Sequence, residues 1–555
     1  VRVLERKGPE DRFLRRLEQL KIRRKPWEDE WKNVTKLIFP RRNVWTMSQK
    51  DSKGVDPEVY DTVALESLTL MADGLIGNLV PAGVPFFKFL PAISRYNEIP
   101  ALRRILDLYQ EQITGVLNRS NFNLDNGEAF PDACGLGTAI SFIEQDPATQ
   151  RIMFSSRHIK ECYIAENRWG LVDTVYREYE MSRENLLDEF YEALDDRQKD
   201  KADKFPDNTV KVLHVVEPST REGVYEETYL LTEEKATTGE SLLYQGERQY
   251  FPYNVWRFRK NSDEEYGRSP AIDAYWEVSM INNQSKTMAE AAHKAVEPPL
   301  LASANLNGHI KQNPRGITYK TNPGDTVQSL YGNGLGQYPL GIDAMDRRAE
   351  IIRRHFRYSF FSDLLQNAPG MGREKTATEI NAIEAQKAAL LGSSIGRVTK
   401  ERLEPIINTI FNIEDKAGRL PPLPSELRQL TGLGIEVEYI GPLARRLKQY
   451  LSAQGLVEGT QIVMGIINGL PNSPQAAATI DLYDWDYISR QTSKANGMPE
   501  AAFLPVKTVQ QIRKARAEQQ AALQQAQLEI EQAKTNPALS KAPEPGSPAE
   551  RMARK

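Results

Sequence analysis

Gly392-Ser-Ser394-Ile-Gly396 is a literal G-x-S-x-G match, and a serine so flanked can serve a hydrolase as nucleophile. That chemistry needs a sharp strand-to-helix turn that exposes the hydroxyl. The match falls instead inside a long helical pattern with no strand before it. Small residues that let two helices approach closely are the better reading. Gly332-Asn-Gly334-Leu-Gly336 could cradle a phosphate, but it lacks the strand-then-helix setting such a loop requires. No G-x-x-x-x-G-K-[ST] loop is present, which disfavours an ATPase, and there is no H-E-x-x-H pair. His158, His214, His293, His309 and His355 show no ligand spacing, and Cys162, four after His158, adds only a second candidate to one of them. Acidic residues number 75, so close carboxylate pairs arise by chance. The sequence therefore assigns no catalytic residue, no metal and no cofactor.

With 555 residues the chain can form two to four domains and a large core. Hydrophobic residues make up 40% and charged residues 26%, ordinary values for a soluble protein. Lys+Arg 72 against Asp+Glu 75 leaves a formal charge of -3. A protein that grips nucleic acid by its phosphates usually shows a basic excess, so any such contact should be weak or confined to a few positions. Cys134 and Cys162 are too few for a disulfide scaffold and suggest folding in a reducing cytoplasm. No N-terminal stretch resembles a signal peptide. The most apolar region, Leu70 to Ala92, carries Asp73, Gly74, Gly77, Pro81, Gly83, Pro85 and Lys88, too broken for a membrane span. A soluble, intracellular protein is expected.

The patterning predicts an α+β chain, predominantly helical. Leu17, Leu20, Trp27, Trp31, Val34 and Ile38 form a helical stripe, with Pro26 in a first-turn position before Glu28, Asp29 and Glu30. Arg15, Arg16, Arg23, Arg24, Lys25, Arg41 and Arg42 read as a solvated basic face in preference to a nucleic-acid arm. Helices are expected over Asp61 to Val80 and Ile99 to Asn118. Gly135 to Lys260 changes to strands, among them 210–216, 225–231 and 250–258, interrupted by a helix over Ser182 to Ala193.

Ser269-Pro270 then opens a helix to about Val296, on the order of 40 Å long. Glu297-Pro298-Pro299 stops it. A Gly-, Asn- and Pro-rich stretch follows, with Ile317 to Lys320 its best strand, and Ile342 to Leu365 returns as a second helix. The result is a protruding helical hairpin with a capped tip. Beyond the loop 366–375, in which Gly370 and Gly372 flank Met371, a helix runs from Thr376 to about Ala417. Pro405 predicts a kink near Glu401 to Pro405. Ile435 to Ile440 reads as a strand, and Val506 to Lys534 as a Gln- and Ala-rich helix with a weak heptad.

Four stretches carry a resemblance to a known family. They are Pro26-Trp27-Glu28-x-x-Trp31 with Phe39-Pro40, and Gly74-Leu-Ile-Gly-Asn-Leu-Val-Pro81 with Phe86-Phe-Lys-Phe89. Next comes Tyr266-Gly-Arg-Ser-Pro270 leading to Glu297-Pro-Pro299. Last is Arg373-x-x-Thr376-Ala-Thr-Glu379-Ile380 with Gly392, Glu404-Pro405 and Leu420-Pro421. Their order and spacing, over roughly residues 10 to 425, resemble the head-tail connector (portal) family of short-tailed phages.

That resemblance implies a ring, usually of twelve subunits, at one capsid vertex, with a central channel for DNA in packaging and ejection. It implies a wing at 1–267, stem helices at 268–299 and 342–365, and a clip at 300–341. A tunnel loop at 366–375, a kinked wing spine at 376–424 and a crown at 425–505 follow. The helix 506–534 could form a barrel, and 535–555 a disordered tail. The implied partners are double-stranded DNA held weakly and without sequence preference, terminase, major capsid and scaffolding proteins, and a tail adaptor. No membrane is among them. The chain would nucleate procapsid assembly in the host cytoplasm and reside in the virion.

In the tunnel loop, Gly370, Met371, Gly372, Arg373 and Lys375 are the candidate DNA-facing residues. Lys286, Lys294, Arg347, Arg354 and Arg357 are the charged stem positions, lining the tunnel or pairing between subunits, with pairing preferred. Lys311, Arg315 and Lys320 are clip contacts for motor, adaptor or DNA. Near-neutral composition suits a channel, because tight phosphate contacts release slowly. The alternatives are another virion ring or tail component, and an enzyme with an unrecognised site.

Overall fold

Pro9–Leu37 forms one helix, α1, whose Phe13, Leu17, Leu20, Trp31 and Val34 are buried. Pro26 lies in its interior, not in a first turn as its neighbours suggested. Proline there removes the donor for the Ile22 carbonyl. Both residues are exposed, so that carbonyl is left to solvent and not orphaned in a core. The computed structural model describes residues 9–40, 58–93, 96, 99–232, 241–296, 300–302, 323–324, 326–329, 338–366, 392–422, 434–441, 465, 484–495, 504 and 506–535. The fold is α+β and predominantly helical.

Helix α2 spans Val63–Leu79 and α3 spans Pro100–Arg119, each burying one stripe. Helix α4, Phe122–Leu136, has no counterpart in the sequence reading. Gly127, Pro131 and Gly135 speak against a helix, and burial on nearly every side erases the amphipathic stripe. Gly137, at φ +84°, closes it.

The β-rich part holds two antiparallel sheets. β2 (Thr138–Gln145) pairs with β3 (Ile152–Arg157) on one side and β9 (Tyr253–Arg257) on the other. β4 (Cys162–Glu166), β5 (Val172–Ser182), β6 (Thr209–Pro218), β7 (Tyr225–Leu231) and β8 (Leu242–Arg248) form a five-stranded meander. Alternation along β6 sends Leu213 and Val215 against Phe13, Leu17 and Leu20 of α1, and Val216 toward the three-stranded sheet. The insertion between β5 and β6 is two helices, α5 (Arg183–Phe190) and α6 (Asp196–Lys204), where one was expected. Ser182 caps the first, its hydroxyl accepting from the Asn185 amide. β1 (Phe87–Pro91) pairs with β12 (Ile435–Tyr439), joining a strand expected near the start of the crown to the first hundred residues.

Helix α7, Pro270–Val296, covers the span expected of it. β10 (Leu300–Ala302) and β11 (Val327–Ser329) pair beyond it. The return helix is not continuous. It runs as α8 (Tyr338–His355), breaks at Phe356 and Arg357, and resumes as α9 (Tyr358–Gln366). Phe356 is fully buried and Arg357 takes φ +54°, so the chain turns about an apolar anchor. Where the kink was expected, the winding changes. Helix α10 (Gly392–Arg397) passes into a π-helical segment, Val398–Leu403, and on into α11 (Glu404–Lys416), with Pro405 in the first turn. One apolar core joins α2, α3, α4, the first half of α7, α8, α9 and residues 395–413.

Lys448–Lys555 forms a second compact unit, after the unit Val1–Leu447 in chain order. Its described helices are α12, Trp485–Ala495, and α13, Val506–Thr535, joined by the ion pair of Arg513 with Asp486 at 2.6 Å. On α13, Ile512, Leu523 and Leu528 are exposed.

Candidate functional site at the root of the helical hairpin

The start of α7 is fixed by residues far apart in the chain. Tyr266-Gly-Arg-Ser-Pro270 is the joint. The Tyr266 ring meets the edge of Trp31 at 5.2 Å, and its hydroxyl accepts from the Ile164 amide. Trp31 donates to the Leu136 carbonyl at 2.9 Å. Gly267 lies so close to Gly137 that a Cβ on either would meet the other's carbonyl oxygen at about 2 Å. Arg268 pairs with Glu264 and lies over Trp27. The Ser269 hydroxyl donates to the Gly135 carbonyl at 2.8 Å and accepts from the Ile272 amide, capping α7. The Trp27–Trp31 and Tyr266–Pro270 motifs thus belong to one joint.

The π-helical segment is locked to the same root. Pro405 cannot donate to the Glu401 carbonyl four residues earlier. The Asn254 side-chain amide on β9 donates to that carbonyl at 2.9 Å and reaches the Arg402 carbonyl at 3.2 Å. The π-helical winding turns the adjacent Glu401 and Arg402 both inward. Glu401 accepts from the Arg257 guanidinium at 2.8 and 3.1 Å and from its backbone amide at 2.9 Å. Arg257 also pairs with Glu166 and donates to the Gly170 carbonyl. Arg402 pairs with Asp125 at 2.9 Å and donates to Asn126. Both arginines are fully buried. Burial pulls Arg402 below the usual guanidinium value against Asp125, whereas for Arg257 the Glu401 and Glu166 carboxylates outweigh burial and raise it.

The charged positions singled out from sequence on these helices are exposed. Lys286 is exposed, 5.7 Å from the Tyr60 ring, and Lys294 is exposed near the end of α7. Arg347 and Arg357 are exposed, and Arg354 reaches Glu350 only at 3.9 Å. The ion pair that ties α7 to α8 uses a residue not singled out, Arg348, which meets Glu277 at 2.7 Å. Gly370, Met371, Gly372, Arg373, Lys375, Lys311, Arg315, Lys320 and the strand expected over Ile317 to Lys320 lie outside the described residues.

Other candidate chemistry resolves into structure. Ser394 is buried within a helix, so the G-x-S-x-G match makes no nucleophile elbow. Its glycines do not bring helices together either, since a Cβ at Gly392 or Gly396 meets nothing within 4 Å. His158 accepts from the Lys160 amide. Cys134 and Cys162 are free and buried, their thiols pushed up by burial, Cys162 to about 12. Among the described residues no His, Cys, Asp and Glu group could hold a metal ion, and no helix is long and apolar enough to cross a membrane.

The comparisons with known proteins cover almost the whole of this architecture. A protein of Bordetella phage BPP-1 described as a probable portal protein is 25% identical over 540 residues, 93% of this chain and 92% of its own length. The portal protein of Salmonella phage epsilon15 is 24% identical over 536 residues, with the same coverage of each chain. A chain from the virion of a native gene transfer agent particle overlays at 12% identity and a TM-score of 0.28, covering 67% of this chain and 90% of that one, too loosely to inform the fold. The model of the bacteriophage head to tail connecting protein family matches residues 10–504, and the chain belongs to that family.

Proposed function

We propose that the chain is the portal of a tailed phage, a head-to-tail connector at one capsid vertex through which DNA enters and leaves. The observation that carries this reading is the family match over residues 10–504, which spans the rooted hairpin and the π-helical segment together. In this reading the chain does structural work, and catalysis belongs to a separate motor. Residues 268–299 and 342–365 are the stem, 300–341 the clip, and 366–375 the loop that faces DNA. Residues 376–424 are the wing spine and 1–267 the wing. Residues 425–505 begin the crown, with Ile435–Tyr439 stitched back to Phe87–Pro91. The exposed apolar residues of Val506–Thr535 suit association of that helix between copies.

Twelve copies closing by a repeated heterologous contact would place stem helices side by side around the channel. Lys286, Lys294, Arg347, Arg354 and Arg357 then pair across subunits or face the channel. Arg373 and Lys375 touch DNA weakly, Lys311, Arg315 and Lys320 meet terminase or the tail adaptor, and capsid and scaffolding proteins hold the wing. The ring assembles in the host cytoplasm and persists in the virion.

Native mass spectrometry with negative-stain class averages tests this. A closed ring near twelve copies with a central hole is expected. A persistent monomer at assembly concentrations, with scaffolding protein supplied, would overturn the reading.

A further inference from the structure

Among the described residues of the hairpin, arginine stands at the position where glycine would be least costly. α8 ends with the Arg357 amide donating to the Arg354 carbonyl, and Arg357 takes φ +54° before α9 begins. Helices that end in this way usually place Gly or Asn there, because a Cβ in the left-handed region costs about 1–2 kcal/mol. Such strain persists where the surroundings enforce it, and it clusters at functional positions. Here the fully buried Phe356 enforces it.

The turn brings Arg357 to the wall of a cleft of about 340 Å³, lined also by Arg259, Asp273, Ile351, Arg354 and His355. Three guanidinium groups share this space with one carboxylate. Their own-chain pairings are loose. Arg259 meets Asp273 at 3.3 Å and Arg354 meets Glu350 at 3.9 Å, against about 2.7–2.9 Å for a strong charge-assisted bond. Arg357 has no ion-pair partner among the described residues. The N-terminus of the 27-residue α7 opens beside the cleft, with Asp273 in its first turn, and its dipole adds positive potential.

We propose that this cleft is a seat for one phosphodiester group of duplex DNA, held by Arg357, Arg354 and Arg259. The proposal rests on the DNA-conduit reading above and assigns a contact to the root of the hairpin, away from the loop 366–375. Planar guanidinium forks match phosphate oxygens, and unsaturated, exposed arginines exchange partners readily, as passing DNA demands. The Asp273 carboxylate tempers the seat, which keeps the contact weak.

The test is binding of the purified full chain to a short labelled duplex of mixed sequence over a range of NaCl concentrations, beside native mass spectrometry of each sample. Arg357→Gly removes the charge and relieves the strained φ, so thermal stability is retained or raised. Its affinity should fall about three- to tenfold, with the log–log salt slope shallower by about 0.9, the share of one neutralised phosphate. The double substitution Arg259→Gln with Arg354→Gln should weaken binding further. Unchanged affinity and slope in both variants would overturn the seat. So would variants that bind DNA normally while their rings dissociate, because the cleft would then hold a neighbouring copy's carboxylate. A wild-type ring with no salt-dependent binding sinks the seat alone, whereas a wild-type monomer sinks the portal reading itself.

Discussion

The Asn254 side-chain amide donates to the Glu401 carbonyl, in the π-helical turn that leads into Pro405. A backbone carbonyl in one element is thus met by a side chain 147 positions away. The same amide reaches the Arg402 carbonyl, so one residue of β9 meets two carbonyls of the π-helical turn. Asn254→Asp replaces this donor with an acceptor and brings a carboxylate toward two carbonyls. It should lower stability by about 2–3 kcal/mol, and Asn254→Ala by about 1–3 kcal/mol. Urea denaturation measures both, and a midpoint equal to wild type would show that the π-helical turn does not depend on Asn254.

Arg402 and Asp125 form a buried ion pair, 0% and 1% exposed. Asp125 also accepts from the Ser141 and Ser156 hydroxyls. Removing one partner strands a charge in the core, so Asp125→Ala should cost about 3–5 kcal/mol. Adding Arg402→Met to that variant should recover part of the loss, with a coupling of about 1–3 kcal/mol. Strict additivity of the two substitutions would mean that the pair contributes nothing as a pair.

Much of this organisation was legible in the sequence. Pro405 announced an interruption of regular winding, and Ser269-Pro270 announced the start of α7, because local chemistry decides both. The partners were not legible. Nothing in the pattern around Pro405 names Asn254, and nothing near Tyr266 names Trp31 or Gly137, since these contacts arise from tertiary packing. Helix α4 was hidden for a different reason. A segment buried on nearly all sides loses the periodicity that reveals a helix, and Pro131 and Gly135 read as breakers. The break at Phe356–Arg357 carries no Gly, Pro or Asn signal and interrupts a continuous helical pattern. Of the charged residues on α8, Arg348 looked like its neighbours, and only its contact with Glu277 distinguishes it.

His214 provides a pH dependence with a defined sign. Burial holds it at about 4, well below the usual imidazole value, against the pull of the Glu227 carboxylate. The neutral ring donates from Nε2 to Glu227 at 3.0 Å, accepts at Nδ1 from the Tyr253 hydroxyl at 2.7 Å, and stacks on Tyr229. Between pH 6.5 and 4 the unfolded chain binds the proton that the folded chain refuses, so stability falls as pH drops through this window. The loss attributable to this residue is roughly 3 kcal/mol, complete near pH 4. Glu227 is lowered despite burial, because His214 and Arg248 stabilise its charge, and its share of the loss falls at lower pH in the same direction. His214→Gln should flatten stability between pH 6.5 and 4.5, read from urea midpoints at several pH values. A wild-type slope in that variant would assign the dependence elsewhere.

Gly137 and Gly267 set how closely the hairpin root approaches the end of α4. A Cβ at Gly137 would fall 2.0 Å from the Gly267 oxygen, and the position itself is at φ +84°. The obstacle is backbone, which no rotamer change can clear. Overpacking costs about 1–3 kcal/mol and the left-handed conformation about 1–2 more, so Gly137→Ala should lose about 3 kcal/mol or more. Gly267→Ala meets the Gly137 oxygen at 2.1 Å and the Arg257 Cβ at 2.9 Å, and should lose a comparable amount. Gly77 is the control. It lies within α2, a Cβ there meets nothing within 4 Å, and alanine should stabilise by about 0.5–1 kcal/mol. Thermal melts of the three variants separate a local clash from a general intolerance of alanine. If Gly137→Ala melts with the wild type, the joint yields, and α7 is not held as rigidly as the Tyr266–Pro270 contacts imply.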